Sequence, residues 1–295
     1  MKNLQIPNIQ LYPTDNFKIA IDNLTRKAFE LCFDGKQDVD FDITESRSKN
    51  IKSNVKISNL NSLKINFNEF DWAVFDACIS EFISGNEYTT AAIIRRHFGG
   101  NYNHTTTLDQ DIIGSLEKLA CIRITIDMSD CKKIYDSPFG TLVFRGYLLP
   151  TESLEISVNG QLATAIHFLK KGPVFAAAEL KNQILTCPAE LLQAPVRVTS
   201  RSIAINHFLL RRILEMKGSS DASKSNKRVK PLRHTILFDA LYKACGFDNA
   251  NKRTKQQVRE TAEKILNYFV EQALIKAYSI ETGKGGKARA IDIEL

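Results

Sequence analysis

The apolar and polar positions fall into a helical rhythm most clearly near the end of the chain. Val258, Ala262, Ile265, Phe269 and Leu274 recur at spacings of three to five, which turns one stripe of a long helix beginning at about Asn251 towards a core. The opposite face of its first two turns carries Lys252, Arg253, Lys255, Gln256, Gln257 and Arg259. Beyond Leu274 the period shortens to that of a strand through Ile275, Ala277, Tyr278 and Ile280. The glycine-rich turn 283–287 can take positive φ, and 288–293 alternates polar with apolar as the return strand of a hairpin.

A similar succession occurs earlier. Phe70, Val74, Cys78 and Phe82 lie four apart in a helix predicted over 70–83, stopped by Gly85-Asn86. Thr89 or Thr90 caps a short helix through Phe98, which Gly99-Gly100 ends. Leu108, Ile112, Leu116 and Leu119 mark one side of a third helix over 108–121, and a strand over 122–128 and a hairpin over 133–149 follow. Between the two successions, Asn159-Gly160 predicts a second hairpin, 173–185 reads as a helix broken by Cys187-Pro188, and 191–198 reads as a linker. The second succession opens with a helix over 200–216 closed by Gly218, a polar and basic loop over 219–233, and a helix over 235–245 ended by Gly246. The first 67 residues are weakly periodic: a helix over 17–33, a strand over 38–43, a Ser/Asn/Lys-rich loop over 46–62 and a short strand over 63–67.

Three helices followed by a hairpin, with a basic, amide-rich third helix, resemble the recognition helix and wing of a winged-helix DNA-binding domain. In that fold Arg, Lys and Gln of the third helix meet base edges and phosphates in the major groove. The expected class is α+β, with two tandem winged-helix domains and an irregular N-terminal extension, divided as 1–67, 68–190 and 191–295.

Charge separates the two copies. Residues 195–295 hold 20 Lys/Arg and 10 Asp/Glu, a balance of +10, whereas the first 194 residues balance at −3. Concentrated positive charge at one end of a chain is the footprint of a polyanionic partner, so double-stranded DNA is the expected ligand of the C-terminal domain, bound even by that domain alone. The candidate contacts are Arg201; Lys227, Arg228, Lys230 and Arg233 of the basic loop; Lys252, Arg253, Lys255, Gln256 and Arg259 of the helix; and Lys284, Lys287 and Arg289 of the wing. Lys255, Gln256 and Arg259 are assigned to the groove, the remaining helix and wing cations to phosphates. Arg211 and Arg212 add to the same basic surface.

The third helix of the first copy carries Asp109, Asp111 and Glu117 against Lys118, a face that phosphate repels, so this domain is assigned to protein contact with DNA contact secondary. Its hairpin, with Phe139, Leu142, Val143 and Phe144, is apolar enough either to pair with a second copy or to pack on the domain's own core. Arg95, Arg96 and His97 read as solvated partners of a helix C-terminus.

Catalytic signatures are missing. The sequence has no phosphate-binding loop between strand and helix, no nucleophile elbow and no HExxH, and its five histidines are isolated. His207, on an apolar helix, reads as packed. The six cysteines form no CxxC pair, and no apolar run approaches the ~20 residues that span a bilayer. The expectation is a cytoplasmic, non-enzymatic protein without cofactor or metal.

The helix over 202–216, the basic loop, the helix over 235–245 and the long helix with its wing together resemble the replication initiator proteins of iteron-containing plasmids; the likeness extends more loosely to 70–149. That resemblance implies sequence-specific binding to repeated origin sites, recruitment of host replication proteins such as a helicase or initiator, and self-regulation through dimers. Two other readings stay open: a transcriptional regulator of a mobile element, and an adaptor that binds proteins rather than DNA.

Overall fold

The structure is a computed structural model that describes residues 14–20, 23–33, 39–45, 51–58, 67–99, 106–129, 142–158, 161–225, 231–283 and 288–295. The chain opens with strand β1 (Asn16–Ala20), helix α1 (Asn23–Phe33) and strands β2 (Val39–Glu45) and β3 (Ile51–Ser58). Phe17 and Ile19 are both buried, and positions two apart share one face of a strand, so 16–20 is extended where a helix was expected. β3 takes the place of the expected loop over 46–62. Val55 and Ile57 are buried while Lys56 between them is exposed, a period-two pattern short enough to be masked by the Ser, Asn and Lys around it.

Helix α2 (Glu69–Ile83) is fixed at its start by a reciprocal cap. Asn68 Oδ1 accepts from the Phe70 amide at 2.8 Å, and Asp71 Oδ2 accepts from the Asn68 amide at 2.9 Å. Strand β4 (Tyr88–Thr90) leads into α3 (Ala91–His97), capped by Thr90, and then α4 (Thr106–Cys121), β5 (Arg123–Asp127) and β6 (Val143–Tyr147). Antiparallel pairing joins β2, β3, β5 and β6 in that order, so β2 and β3 extend the sheet of the first wing. The tip of that wing, with Phe139, lies outside the described residues.

Strands β7 (Thr151–Val158) and β8 (Gln161–Phe168) form the hairpin expected at Asn159-Gly160, and β4 pairs with β8. Helix α5 (Pro173–Leu180) is shorter than expected: Asn182 adopts a φ of 52°, a left-handed exit that asparagine tolerates, and β9 (Ile184–Pro188) then pairs with β1. A single 3-10 turn (Ala189–Leu192) precedes the second winged helix.

The second winged helix comprises α6 (Ser200–Ser225), β10 (Thr235–Leu237), α7 (Phe238–Ala244), α8 (Lys252–Glu271), β11 (Ala277–Thr282) and β12 (Ala288–Glu294). Two details depart from the sequence reading. α6 runs through Gly218 instead of ending there, because an isolated glycine weakens a helix without stopping it. Residues 235–237 are a strand, and Ile236 is buried on β12 opposite Ile291. The sheet order β10-β12-β11 closes this domain on itself.

α2 and α6 pack against each other at the centre of the molecule. Trp72 of α2, fully buried, stacks on Phe29 with ring centroids 4.6 Å apart, and the Arg211 guanidinium of α6 lies 4.0 Å from its ring. His207 is packed in the same seam, fully buried.

Candidate nucleic-acid interface

Asn251 starts α8 by accepting the Thr254 amide hydrogen at 2.9 Å, and Val258, Ala262, Ile265, Leu266 and Phe269 seat the helix on its domain. What remains outward over the first turns is polar. Lys252, Arg253, Gln256 and Gln257 are exposed, and Lys252 and Arg253 make no ion pair among the described residues. The helix has no acidic residue in its first turn, so its N-terminal dipole and its cations act together on an anion.

The candidate contacts do not all share one place. Lys255 is half-buried: its Nζ donates to the Asp248 carbonyl at 2.6 Å and lies 5.3 Å from the Tyr242 ring. Arg259, also half-buried, donates from Nε to the Lys255 carbonyl at 3.4 Å. Both are drawn to the α7–α8 side, whereas Arg253, Gln256 and Gln257 face outward. Gln256 donates to Glu260 at 3.0 Å, one turn on. Arg201, exposed at the start of α6, donates to Gln257 Oε1 at 3.1 Å and lies 5.3 Å from the Phe247 ring. The structure therefore joins Arg201 to the outward face of α8 and adds Gln257 and Phe247 to the site. The pairing spans 56 residues and leaves no local signal in the sequence.

The wing supplies Arg289, exposed on β12; Lys284 and Lys287 lie outside the described residues, as do Lys227, Arg228 and Lys230. Arg233 is exposed but sits at the far end of the sheet. The His234 carbonyl accepts from the Ile293 amide at 2.8 Å, and the five steps from there back to Ala288 cover roughly 17 Å at ~3.4 Å per residue. Arg233 and the Ala288 end of β12 thus lie at opposite ends of the sheet.

α4, the corresponding helix of the first domain, uses its charges inward. Lys118 Nζ is 3.2 Å from the buried carboxylate of Asp71, and Asp109 is 3.0 Å from Arg95. Arg95 and His97 are not solvated: each is almost fully buried, and His97 Nε2 lies 2.6 Å from Glu81 Oε1. Neighbouring elements cover the Arg95 and His97 side of α3, so these two side chains meet carboxylates rather than water, while Arg96 is exposed. Gln110, Asp111 and Glu117 remain exposed. Between α4 and the second domain runs an open groove of about 680 Å³ with a mixed polar and apolar lining, with Gln110, Asp111 and Gly114 on one wall and Ser200, Arg201 and Phe247 on the other. On the first wing, Leu142 and Phe144 pack against the protein's own core.

Among the described residues no group of three His, Cys, Asp or Glu side chains is placed to hold a metal ion, and no helix is long and apolar enough to cross a membrane. No protein-family model matches the chain, and no curated protein matches it. Two solved structures are similar in fold at a low level. A selenomethionine crystal structure of domains 2 and 3 of RctB aligns at a TM-score of 0.42 and 12% identity, covering 88% of this chain and 91% of that one. A second crystal structure of RctB domains 2–3 aligns at a TM-score of 0.37 and 11% identity, covering 88% and 92%. Likeness of this degree carries no functional weight by itself.

Proposed function

We propose that this chain is a non-enzymatic, sequence-specific DNA-binding replication initiator of a plasmid or other mobile element, which binds repeated origin sites and recruits host replication proteins. The observation that carries the reading is the outward face of α8. A complete winged helix presents Arg253, Gln256 and Gln257, reinforced by Arg201, at the end of a helix whose dipole also favours phosphate. Gln pairs with adenine edges in the major groove, and in this reading Lys252, Arg253 and Arg289 hold phosphates. The resemblance of the same elements to plasmid initiators supplies the biological setting, including a homodimer and a cytoplasmic location.

Footprinting the full chain on the DNA flanking its coding region tests this. Protection of directly repeated sites, about one or two helical turns apart, is the expected result. Protection of one inverted repeat at a promoter would make the protein a regulator instead, and salt-sensitive binding with no sequence preference would remove the initiator reading altogether.

A further inference from the structure

Ionisable side chains meet where α2 and α6 cross, in a seam that excludes water. Glu69 and Asp76 come from α2, and His207, Arg211, Arg212 and Glu215 from α6. The side chains of Glu69, Asp76, His207 and Arg211 are 0%, 1%, 0% and 4% exposed. Arg211 donates from Nε and Nη2 to the two oxygens of Glu69, each at 3.0 Å, and from Nη1 to Glu215 Oε1 at 2.8 Å; Arg212 pairs with the other Glu215 oxygen. His207 stands between Glu69 and Asp76 of α2, with Nδ1 2.8 Å from Glu69 Oε1 and Nε2 3.0 Å from Asp76 Oδ2.

That geometry needs a proton. A neutral imidazole has one N–H and one bare nitrogen, so one of the two contacts would set a lone pair against a carboxylate oxygen. Only the imidazolium donates to both. The charge balance gives the same answer: three carboxylates against two guanidinium groups leave one uncompensated negative charge in a dry site, and an imidazolium neutralises it.

We propose that His207 is held as an imidazolium and is a proton-dependent latch between the two winged helices. It lies on the first helix of the second domain, and both of its partners lie on the first helix of the first. Phe17 and Trp72 lie against the ring at centroid distances of 6.4 and 6.1 Å, and His97, paired with Glu81, also packs on Phe17 at 5.5 Å. The thiols of Cys78, Cys187 and Cys245 around the seam are pushed up by burial, Cys187 to about 12, so they add no charge.

The titration runs in one direction. Burial opposes the charged ring of His207, but the hydrogen bonds to Asp76 and Glu69 and their charges outweigh it and raise its pKa above the ordinary 6.5. Such a group stabilises the folded state in full below 6.5 and loses that contribution as pH rises through the raised value. Burial raises Asp76 from 3.8 to about 6 against the opposing pull of His207, so ionising it also costs stability as pH climbs through that interval. Glu69 is the counterweight: burial acts to raise it, Arg211 and His207 lower it further, and its contribution is lost only in acid, below the ordinary 4.5.

Two measurements on the full chain test the latch. Nitrogen-15 NMR of the imidazoles at pH 7.5, with His207 assigned by its absence in His207→Gln, is expected to show both ring nitrogens protonated; a neutral tautomer at that pH would overturn the proposal. Calorimetry is expected to show one cooperative transition at pH 6.5 that falls by several degrees and splits in two by pH 9. Asp76→Asn removes the surplus carboxylate, and its amide donates to Nε2 of a neutral ring. This variant is expected to melt with little pH dependence and to carry a neutral His207 bonded through Nδ1 to Glu69. Equal pH dependence in wild type and Asp76→Asn would also refute the latch. Neither measurement involves DNA, so the latch and the DNA-binding reading fail separately.

Discussion

The two winged helices spend similar charges in opposite ways. In the first, Lys118 and Asp109 of α4 turn to Asp71 and Arg95, and the helix is held to its own domain by ion pairs that leave little positive charge outside. In the second, Lys252, Arg253, Gln256 and Gln257 of α8 stay exposed, and among the described residues the helix is seated by an apolar stripe and hydrogen bonds without an ion pair. The sheets differ in the same sense. β10 closes the second domain's own sheet, whereas β4 leaves the first wing to pair with β8, and β3 and β2 extend that wing instead. One copy turns the charges of its third helix inward and the other keeps them outward. Similar topology therefore does not predict similar use; the partner of each charge does.

The largest expected effect breaks the inward half of this contrast. Glu69 accepts two hydrogen bonds from Arg211 and lies beside His207, so Glu69→Ala leaves a buried guanidinium without its main partner. A loss of about 3–5 kcal/mol is expected in chemical denaturation. The same seam bears on fragments. Cutting the chain near residue 195 would expose the buried face of α6, with Phe208 and Arg211, so the full chain and not the isolated C-terminal half is the proper object for DNA measurements.

A smaller effect sharpens the outward half. Gln256→Ala is expected to cost about 1–3 kcal/mol at one base pair and little elsewhere. Lys252→Ala with Arg253→Ala should weaken all sequences alike and make the salt dependence shallower, by about 0.9 in slope for each phosphate no longer neutralised. On α4, Asp111→Asn with Glu117→Gln should leave DNA affinity unchanged in the same titrations. An equal response from the two helices would erase the functional difference between the domains.

Legibility in the sequence followed the range of the interactions. The stripe of α8 and the four-residue spacing of Phe70, Val74, Cys78 and Phe82 are local patterns, and both helices lie where that spacing places them. β1 and β9 carry no such local signal, because each is completed by a strand some 170 residues away: Phe17 pairs with Cys187. The seam is hidden for the same reason. Arg211 and Arg212 read as basic surface, but Arg211 is buried on Glu69 and both are paired with Glu215. At the interface the exposed cations of α8 were legible, while the docking of Arg201 on Gln257 and the retreat of Lys255 towards Asp248 depend on contacts that α6 and the α7–α8 turn create.

The smallest expected effect comes from a glycine inside α4. Gly114 lies in the middle of the helix and on the wall of the groove, and a Cβ added there meets nothing within 4 Å. Packing therefore does not require it, and glycine within a helix costs about 0.5–1 kcal/mol relative to alanine. Gly114→Ala is expected to raise stability by that amount in denaturation. DNA affinity measured on the same variant sharpens the contrast between the domains. If α4 only supports the fold, a methyl group on its exposed face leaves binding unchanged while the protein becomes more stable. A fall in affinity alongside the gain in stability would mean that the groove beside α4 is approached closely by the DNA, and the first domain would then belong to the recognition surface as well.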